Sequence, residues 1–550
     1  MPDPAQLTPG YGALSALILF IVASVWLGTL AQRVVERGDF VKGYFLGNRS
    51  LGSWALALTA TVQSGGTFMG FPSLVYSHGW VVALWIASYM VVPISGFGVV
   101  GKRIAQLSRR TGAITVPDLF RERFDSPVLG LISSLFIMFF MSSMMVAQFK
   151  AGALIMKVAW PGTGVLALSE DAAGGIDRAY YIGLAVFTLT VVGYTLIGGF
   201  LAAVWTDLFQ SVMMFFGVLI LLALALSAAG GLPNATQQAV AVTSSDYAYA
   251  PGYSPDGREF LPLGLAFSFF VIWPYTGFSS PASVVRVMAC QDTNTIRRSI
   301  VLLSTYNLWI YLPLIVICIC ARAIMPDLAK SDEVIPRMAL LTTSHLPGGS
   351  LLAGLILAAP FGAVLATVSS YLVVIASGLV RDIYQRFIRP NATSREMRLL
   401  SYAIMISVGG IALAANINPV QYLQAIVVFS GTGAAATLFI PLMMTAYWRR
   451  ATRQGVLAAM FTGSGTTFLL YILGWLGEDP GIGQMTQFRP YYVLGLDPII
   501  WAFLVSGATG VTVSLLTRPP RTELLDRLFC APVPANDSDL ARTDLAGQSA

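Results

Sequence analysis

Charge, cysteine and histidine are all scarce in this sequence, and each shortage excludes a class of protein. Only 11% of the 550 residues are charged and 56% are hydrophobic, with a mean hydropathy of +0.71, which excludes a soluble globular protein. The four cysteines have no metal-ligand spacing, so neither a zinc site nor a disulfide framework is expected. The two histidines lie at predicted segment ends, and no nucleophile–base pair or phosphate loop occurs. The sequence therefore predicts neither an enzyme nor a cofactor.

Long apolar runs occupy most of the chain. They predict an all-α polytopic membrane protein with about thirteen transmembrane helices, whose partner is the lipid bilayer of the cell (cytoplasmic) membrane. Most of the 33 Lys and Arg residues, Arg286 among them, fall in connections on one side, which predicts an outside N-terminus and an inside C-terminus. These connections explain the net charge of +6, so no nucleic-acid partner is expected. No basic leader precedes the first apolar run, so no cleavable signal peptide is predicted.

The run from Ala57 to Pro72 is apolar enough to cross a membrane, yet polar residues and a glycine pair stand in its middle. It reads ALTATVQSGGTFMGFP. Gly65 and Gly66 weaken the helix where the hydroxyls crowd, and a helix broken there would turn free carbonyls toward a small ion or solute. The alternative is a glycine-lined contact between two helices.

A second interrupted run covers residues 261–287. Pro274, Gly277 and Pro281 stand in its middle. Pro274 removes a backbone donor, and the freed carbonyls are tolerated only beside a cavity. This run would cross the membrane in the opposite direction to the first, five spans later. Two interrupted helices at matching positions predict an inverted repeat, although a proline-kinked packing helix is the alternative.

The run at 351–380 carries small and hydroxyl residues on one helical face. Ala363, Thr367 and Ser370 recur at i, i+4 and i+7. Hydroxyl and carbonyl oxygens together suit a hard monovalent cation. The alternative is that these hydroxyls bond back to their own helix.

Two ionisable residues are predicted to lie within the membrane. Asp207 would lie at a depth comparable to that of Ser369 and Ser370, so the three predict a shared cation site. The alternative for Asp207 is pairing at the inner surface. Lys150 lies near the outer end of its helix, where it either extends its ammonium group to the interface or holds an anionic substrate.

Four motifs that occur in order along the chain resemble those of the sodium/solute symporters. They are YFLGNRSLGSWALALTATVQSGGTFMGFP at 44–72, GKRIAQLSRRTGAITVPDLFRERF at 101–124, GGFLAAVWTDLFQ at 198–210 and AAPFGAVLATVSSYLVVIASGLVRDIY at 358–384. The resemblance covers about residues 10–515 and implies a LeuT-like fold of two inverted five-helix repeats. The implied parts are an N-terminal extra helix and inner loop (1–50), the first repeat (51–228), the inverted second repeat (261–447), two C-terminal helices (454–517) and a cytoplasmic tail (518–550).

The resemblance also implies where sodium binds. The main site would use backbone oxygens of Ala60 and Gln63, the carbonyl of Ala363 and the hydroxyl of Thr367. This chain departs from the pattern at Ala366, where relatives usually have serine, so one hydroxyl ligand is missing. Altered sodium affinity or stoichiometry is the expected consequence.

A further cation site, which some relatives have, would use Asp207, Ser369 and Ser370, and all three are present. Val62 stands where proline-transporting relatives have aspartate, which speaks against proline as the solute. Sodium is thus the expected coupling ion.

The solute is expected to bind in a central cavity between the interrupted helices. The candidate residues are Ser64, Gly65, Thr67, Phe68, Gln148, Lys150, Trp273, Tyr275 and Thr276. Because Lys150 is the one deep positive charge, a small organic acid is expected, either pantothenate or another monocarboxylate. The predicted function is sodium-coupled symport of this solute by alternating access. A proton-coupled carrier on the same fold and a transporter-like membrane sensor are the alternatives, and the short C-terminal tail speaks against the sensor.

Overall fold

The computed structural model describes residues 9–35, 49, 51–59, 64–162, 178–254, 259–419, 423–477 and 488–529. Within these ranges the regular elements are helices, and the only β-type pairing is an isolated bridge between Leu51 and Cys290. Eleven described helices are long and apolar enough to cross a membrane, or twelve if one bent pair is a single span. The prediction of an all-α polytopic membrane protein is confirmed.

The helices are numbered here in chain order. They are α1 (Tyr11–Val35), α2 (Ser53–Thr59), α3 (Gly66–Gly70), α4 (Phe71–His78), α5 (Val82–Thr111), α6 (Val116–Phe124), α7 (Pro127–Ala159), α8 (Arg178–Ile197), α9 (Gly199–Ala229), α10 (Leu232–Ala241), α11 (Leu263–Ser279), α12 (Pro281–Met288), α13 (Thr293–Ile324), α14 (Val334–Thr343), α15 (Gly349–Ile388), α16 (Ser394–Ala415), α17 (Leu423–Tyr447), α18 (Arg453–Leu476), α19 (Pro498–Leu516) and α20 (Thr522–Phe529).

The first interrupted run accounts for the difference between about thirteen predicted spans and the eleven or twelve found. Its described helices α2, α3 and α4 have 7, 5 and 8 residues, so none is long enough to count as a span. Ala60, Thr61, Val62 and Gln63 lie outside the described residues. The described residues resume at Ser64.

The second half of this run has its own helical start. The Ser64 carbonyl accepts hydrogen bonds from the amides of Thr67 and Phe68 at 2.9 and 3.2 Å. The Ser64 hydroxyl accepts from the Gly66 amide at 3.1 Å, which satisfies a donor that a helix start leaves free. At Gly65 a Cβ would lie 2.7 Å from the Ala151 side chain, so glycine is required for the close approach of α7.

The second interrupted run breaks at Ser280. Helix α11 includes Pro274 and ends at Ser279, whereas α12 begins at Pro281 after one residue of extended backbone. The two pieces are bent by 42°. Proline lacks an amide donor and tolerates the first turn of a helix, so Pro281 suits the start of α12.

Helix α15 lies at the centre of the packing. It contacts α1, α7, α9 and α16, and its residues are buried almost without interruption from Ile356 to Ser377. Small residues permit the close approach of neighbouring helices; at Gly354, for example, a Cβ would lie 2.4 Å from the Ala13 carbonyl oxygen of α1. This helix carries the hydroxyls that the sequence predicts to bind cations.

Candidate functional site

A cavity of about 720 Å³, open solvent included, lies between the two interrupted helices and α5, α13, α15 and α17. Aromatic rings and neutral polar groups dominate its lining. The lining residues are Ser64, Gly66, Thr67, Phe71, Trp85, Ile86, Tyr89, Met144, Trp273, Thr276, Gly277, Ser280, Ser283, Tyr311, Tyr371, Gln424 and Val427. None of these described lining residues is charged, so the cavity is suited to a solute with a substantial apolar part.

Several polar atoms on the cavity are buried without a hydrogen-bond partner among the described residues. They are Trp85 Nε1, Trp273 Nε1, Thr276 Oγ1 and Gln424 Oε1. An unpaired buried polar group costs about 1–3 kcal/mol, so such atoms are normally satisfied by water or a ligand. The two indole groups and the threonine hydroxyl can donate. Residues that line the cavity therefore carry hydrogen-bond donors that the described protein atoms leave unpaired.

Four of the predicted substrate residues, Ser64, Thr67, Trp273 and Thr276, line this cavity. The Thr67 hydroxyl lies 3.2 Å from the Tyr311 hydroxyl, which joins the first interrupted helix to α13. Their part in binding stays a prediction, and the structure shows that they share one space.

The other predicted substrate residues are not among the described residues that line the cavity. The Gly65 amide donates to Gln148 Oε1 at 2.7 Å, so these two residues hold the broken helix against α7. Phe68 is fully buried. Tyr275 packs on Phe439 and Phe503, with ring centroids 4.6 and 5.4 Å away. These contacts give Gly65, Gln148, Phe68 and Tyr275 packing roles in the described structure.

The sequence did not identify the cavity residues contributed by other helices. Tyr89 of α5, Tyr311 of α13, Tyr371 of α15 and Gln424 of α17 all line the cavity. The residue types alone gave no local signal, because tyrosine is also common at membrane interfaces.

Lys150 forms a buried ion pair. Its Nζ atom lies 2.9 Å from Asp332 Oδ2, and the two side chains are 9% and 8% exposed. Asp332 belongs to a short helical turn at Ser331–Glu333, between α13 and α14. Lys150 is not among the described residues that line the cavity. Its predicted contact with an anionic substrate is not seen in this arrangement and stays a prediction.

The predicted main sodium site is described on one side only. Ala60 and Gln63 lie outside the described residues. On α15 the Thr367 hydroxyl donates to the Ala363 carbonyl at 3.0 Å, as the back-bonded alternative expects. A hydroxyl that donates its proton keeps its lone pairs, so this bond is compatible with cation binding. Val364 Cγ2 lies 3.5 Å from where a Gly65 Cβ would stand, so α15 lies against the first interrupted helix.

The predicted further cation site is assembled around an arginine. Arg286 Nη2 lies 2.5 Å from Asp207 Oδ2 and 2.6 Å from Ser370 Oγ. Ser369 and Ser370 both donate to the Ala366 carbonyl, at 3.1 and 2.7 Å. The structure thus brings Asp207 and Ser370 together, while the Ser369 hydroxyl bonds within its own helix. Arg286, which the sequence analysis counts among the residues of the inner connections, lies within α12, and its side chain is buried.

Comparison with known proteins identifies the family. The model of the sodium:solute symporter family matches residues 44–463. The chain belongs to this family. The symporter is 30% identical over 507 residues to the sodium/pantothenate symporter of Haemophilus influenzae, covering 91% of this chain and 96% of the relative. It is 26% identical over 511 residues to an osmoregulated proline transporter of Bacillus subtilis, covering 92% and 95%.

The fold is also found in a solved structure. A Na⁺-coupled sialic acid symporter in a substrate-bound outward-open state matches with a TM-score of 0.67 and 19% identity, covering 93% of this chain and 99% of that one. This likeness confirms the predicted LeuT-like fold. Family membership makes the protein a multi-pass membrane symporter with sodium as its coupling ion, and not an enzyme.

Ala366→Ser is expected to lower the sodium concentration for half-maximal uptake by the symporter about threefold to tenfold. The added hydroxyl oxygen would be a further cation ligand beside Thr367, and a gain of about 1 kcal/mol, the usual size of one net polar contact, corresponds to about a fivefold change in affinity. Sodium-dependent uptake into proteoliposomes measures the change. Ala366→Cys is the control, since it adds an atom of similar position with poor affinity for sodium. Equal sodium dependence of the serine variant and the parent would exclude position 366 from the site.

Proposed function

We propose that the symporter carries pantothenate or another monocarboxylate, together with sodium, into the cell across the cytoplasmic membrane. The observation that carries this proposal is the chemistry of the central cavity. Its described lining is uncharged, and Trp85, Trp273 and Thr276 present buried donors without partners. Oxygen atoms of a carboxylate or amide accept hydrogen bonds from such donors. The relative at 30% identity is a sodium/pantothenate symporter, which favours the same solute.

The aromatic lining fits the apolar part of such a solute. Trp85 and Trp273 stack with centroids 5.8 Å apart, and the Tyr89 and Tyr311 rings are 4.8 Å apart. The faces of such rings cover aliphatic groups of a solute, while the indole N–H and phenol O–H groups at their edges donate to its oxygen atoms. Apolar burial supplies affinity, and the donors orient the polar end.

Sodium supplies the positive charge that the cavity lining lacks. A cation held by Ala60, Gln63, Ala363 and Thr367 would lie where α15 meets the first interrupted helix, next to Ser64 on the cavity wall. A carboxylate bound nearby then interacts with the cation rather than with a basic side chain. Each ligand raises the affinity for the other, and this reciprocity is the thermodynamic basis of coupling.

The same proposal includes two inverted repeats and an N-terminus outside the cell. The repeats are residues 51–228 and 261–447. Both interrupted helices contribute to one cavity, with Ser64 and Thr67 on the first and Thr276 and Ser280 on the second. This is the arrangement expected of two inverted halves that meet around a shared site.

A panel of labelled solutes tests the proposal. Pantothenate, other monocarboxylates and proline are offered to proteoliposomes under an inward sodium gradient and again with potassium in its place. We expect sodium-dependent accumulation of pantothenate or another monocarboxylate, and none of proline.

Thr276→Val supplies the matched variant for this panel. It removes one donor and keeps the side-chain shape, so we expect a rise of about tenfold in the half-saturating concentration of the accumulated solute. Thr276→Ser retains the donor and serves as the control. Accumulation of proline and of no monocarboxylate would contradict the proposal.

A further inference from the structure

The cation site predicted at Asp207, Ser369 and Ser370 already contains a positive charge. The Arg286 guanidinium contacts the Asp207 carboxylate and the Ser370 hydroxyl through one nitrogen, Nη2, at 2.5 and 2.6 Å. These are two of the three side chains that would hold an ion there. The nitrogen lies where a cation bound to both oxygen atoms would be expected.

The charges at this site balance without an ion. The Asp207 and Arg286 side chains are each 2% exposed, so both lie in a region of low dielectric constant. One carboxylate and one guanidinium give a net charge of zero. A sodium ion added to this pair would leave one uncompensated positive charge in a buried site, which is strongly unfavourable.

The fold holds Arg286 in this place. Helix α12 begins at Pro281 and places Arg286 in its last turn, where its guanidinium contacts Asp207 of α9 and Ser370 of α15. A second guanidinium nitrogen, Nη1, lies 3.5 Å from the Ala282 carbonyl of the same helix. An arginine side chain remains charged at all physiological pH values, so the positive charge at this site does not depend on proton uptake.

We propose that Arg286 acts as a built-in cation that fills the further cation site, so that each transport cycle carries one sodium ion, bound at the main site. The inference rests on the proposed function, which supplies the main site at Ala60, Gln63, Ala363 and Thr367. It adds the stoichiometry and assigns Arg286 as the residue that sets it. Asp207 then positions Arg286 and does not bind sodium.

Binding of radioactive sodium to the purified full chain in detergent tests this inference without knowledge of the solute. A scintillation proximity assay counts the sodium ions bound per protein at saturation. We expect one in the wild type, and we expect Thr367→Ala to weaken its binding at least tenfold. Two sodium ions in the wild type would overturn the inference and leave sodium-coupled symport intact. No saturable sodium binding would overturn the main site, and the inference with it.

The Arg286→Gln variant tests the arginine directly. It removes the positive charge and leaves the Asp207 carboxylate open, so we expect a second sodium ion to bind. Adding Asp207→Asn to Arg286→Gln should abolish this second ion. A folded Arg286→Gln protein that still binds one sodium ion would show that Arg286 does not exclude the other.

If Arg286→Gln alone does not fold, the double variant still tests whether Asp207 binds sodium in the wild type. Arg286→Gln with Asp207→Asn removes both charges and keeps hydrogen-bonding groups of similar shape, so no unpaired charge is buried. We expect it to bind one sodium ion, as the wild type does. Loss of sodium binding in a folded double variant would mean that Asp207 holds sodium in the wild type, which would overturn the inference.

Discussion

Thr367→Ala is expected to raise the sodium concentration for half-maximal uptake at least tenfold. The Thr367 hydroxyl donates to the Ala363 carbonyl at 3.0 Å and is fully buried, so the alanine variant removes an oxygen atom from the proposed sodium site with little change at the surface. Losing an interaction with a charged group costs about 1.5–3 kcal/mol, and 1.4 kcal/mol corresponds to a factor of ten. Uptake measured over a range of sodium concentrations gives the shift.

Two control variants separate a ligand effect from a packing effect. Thr367→Ser keeps the hydroxyl and should retain most of the sodium affinity. Thr445 makes the same type of bond, from its hydroxyl to the Pro441 carbonyl at 2.7 Å, and is also fully buried. Thr445→Ala should therefore leave the sodium dependence unchanged. If Thr367→Ala has no greater effect than Thr445→Ala, Thr367 is not a sodium ligand.

Lys150→Met is expected to destabilise the folded symporter by about 3–5 kcal/mol, because it leaves the Asp332 carboxylate buried without its cation. The Lys150 and Asp332 side chains are 9% and 8% exposed and 2.9 Å apart, so water compensates little for the loss. Thermal unfolding of the purified protein in detergent measures the effect. The turn at Ser331–Glu333 should also lose its attachment to α7.

The charge-reversed pair distinguishes a structural role of Lys150 from substrate binding. Combining Lys150→Asp with Asp332→Lys restores the ion pair in the opposite direction. We expect it to recover a large part of the lost stability and the affinity for the solute. Recovery of stability with affinity still reduced at least tenfold would instead support the predicted contact between Lys150 and an anionic solute.

Local signals predicted two interrupted helices, but the helix continues through the residues that were expected to break it. Gly65 and Gly66 have helical backbone where α3 begins, and α11 continues through Pro274 and Gly277 to Ser279, with the break at Ser280. Both signals appear within a few residues, and each interrupted segment borders the central cavity. The hydroxyl face of α15 was predictable for the same reason, since helical periodicity brings Thr367 and Ser370 to neighbouring positions.

The ion pairs could not be predicted because their partners meet only in the folded chain. Asp332 is 182 residues from Lys150, and Arg286 is 79 residues from Asp207. Arg286 illustrates the difficulty. An arginine at the end of an apolar run has the pattern of a topology signal, and only the folded chain shows that its charge is buried against Asp207 of α9 and Ser370 of α15.

The aromatic residues of the cavity were missed for a related reason. Tyr311 and Tyr371 line the cavity, and whether a side chain on these helices faces it depends on the rotation of α13 and α15 in the bundle. Periodicity gives the residues that share a face and does not give the neighbour that this face meets.

Uphill accumulation of a labelled solute under separately imposed gradients is the most direct test of sodium-coupled symport. Proteoliposomes receive an inward sodium gradient, an inward proton gradient in sodium-free medium, or a potassium diffusion potential alone, with a panel solute on the outside. Sodium-coupled symport predicts accumulation with the sodium gradient, and no accumulation with the proton gradient or with the potassium diffusion potential alone. Accumulation driven by the proton gradient without sodium would contradict it and would identify a proton-coupled carrier on the same fold.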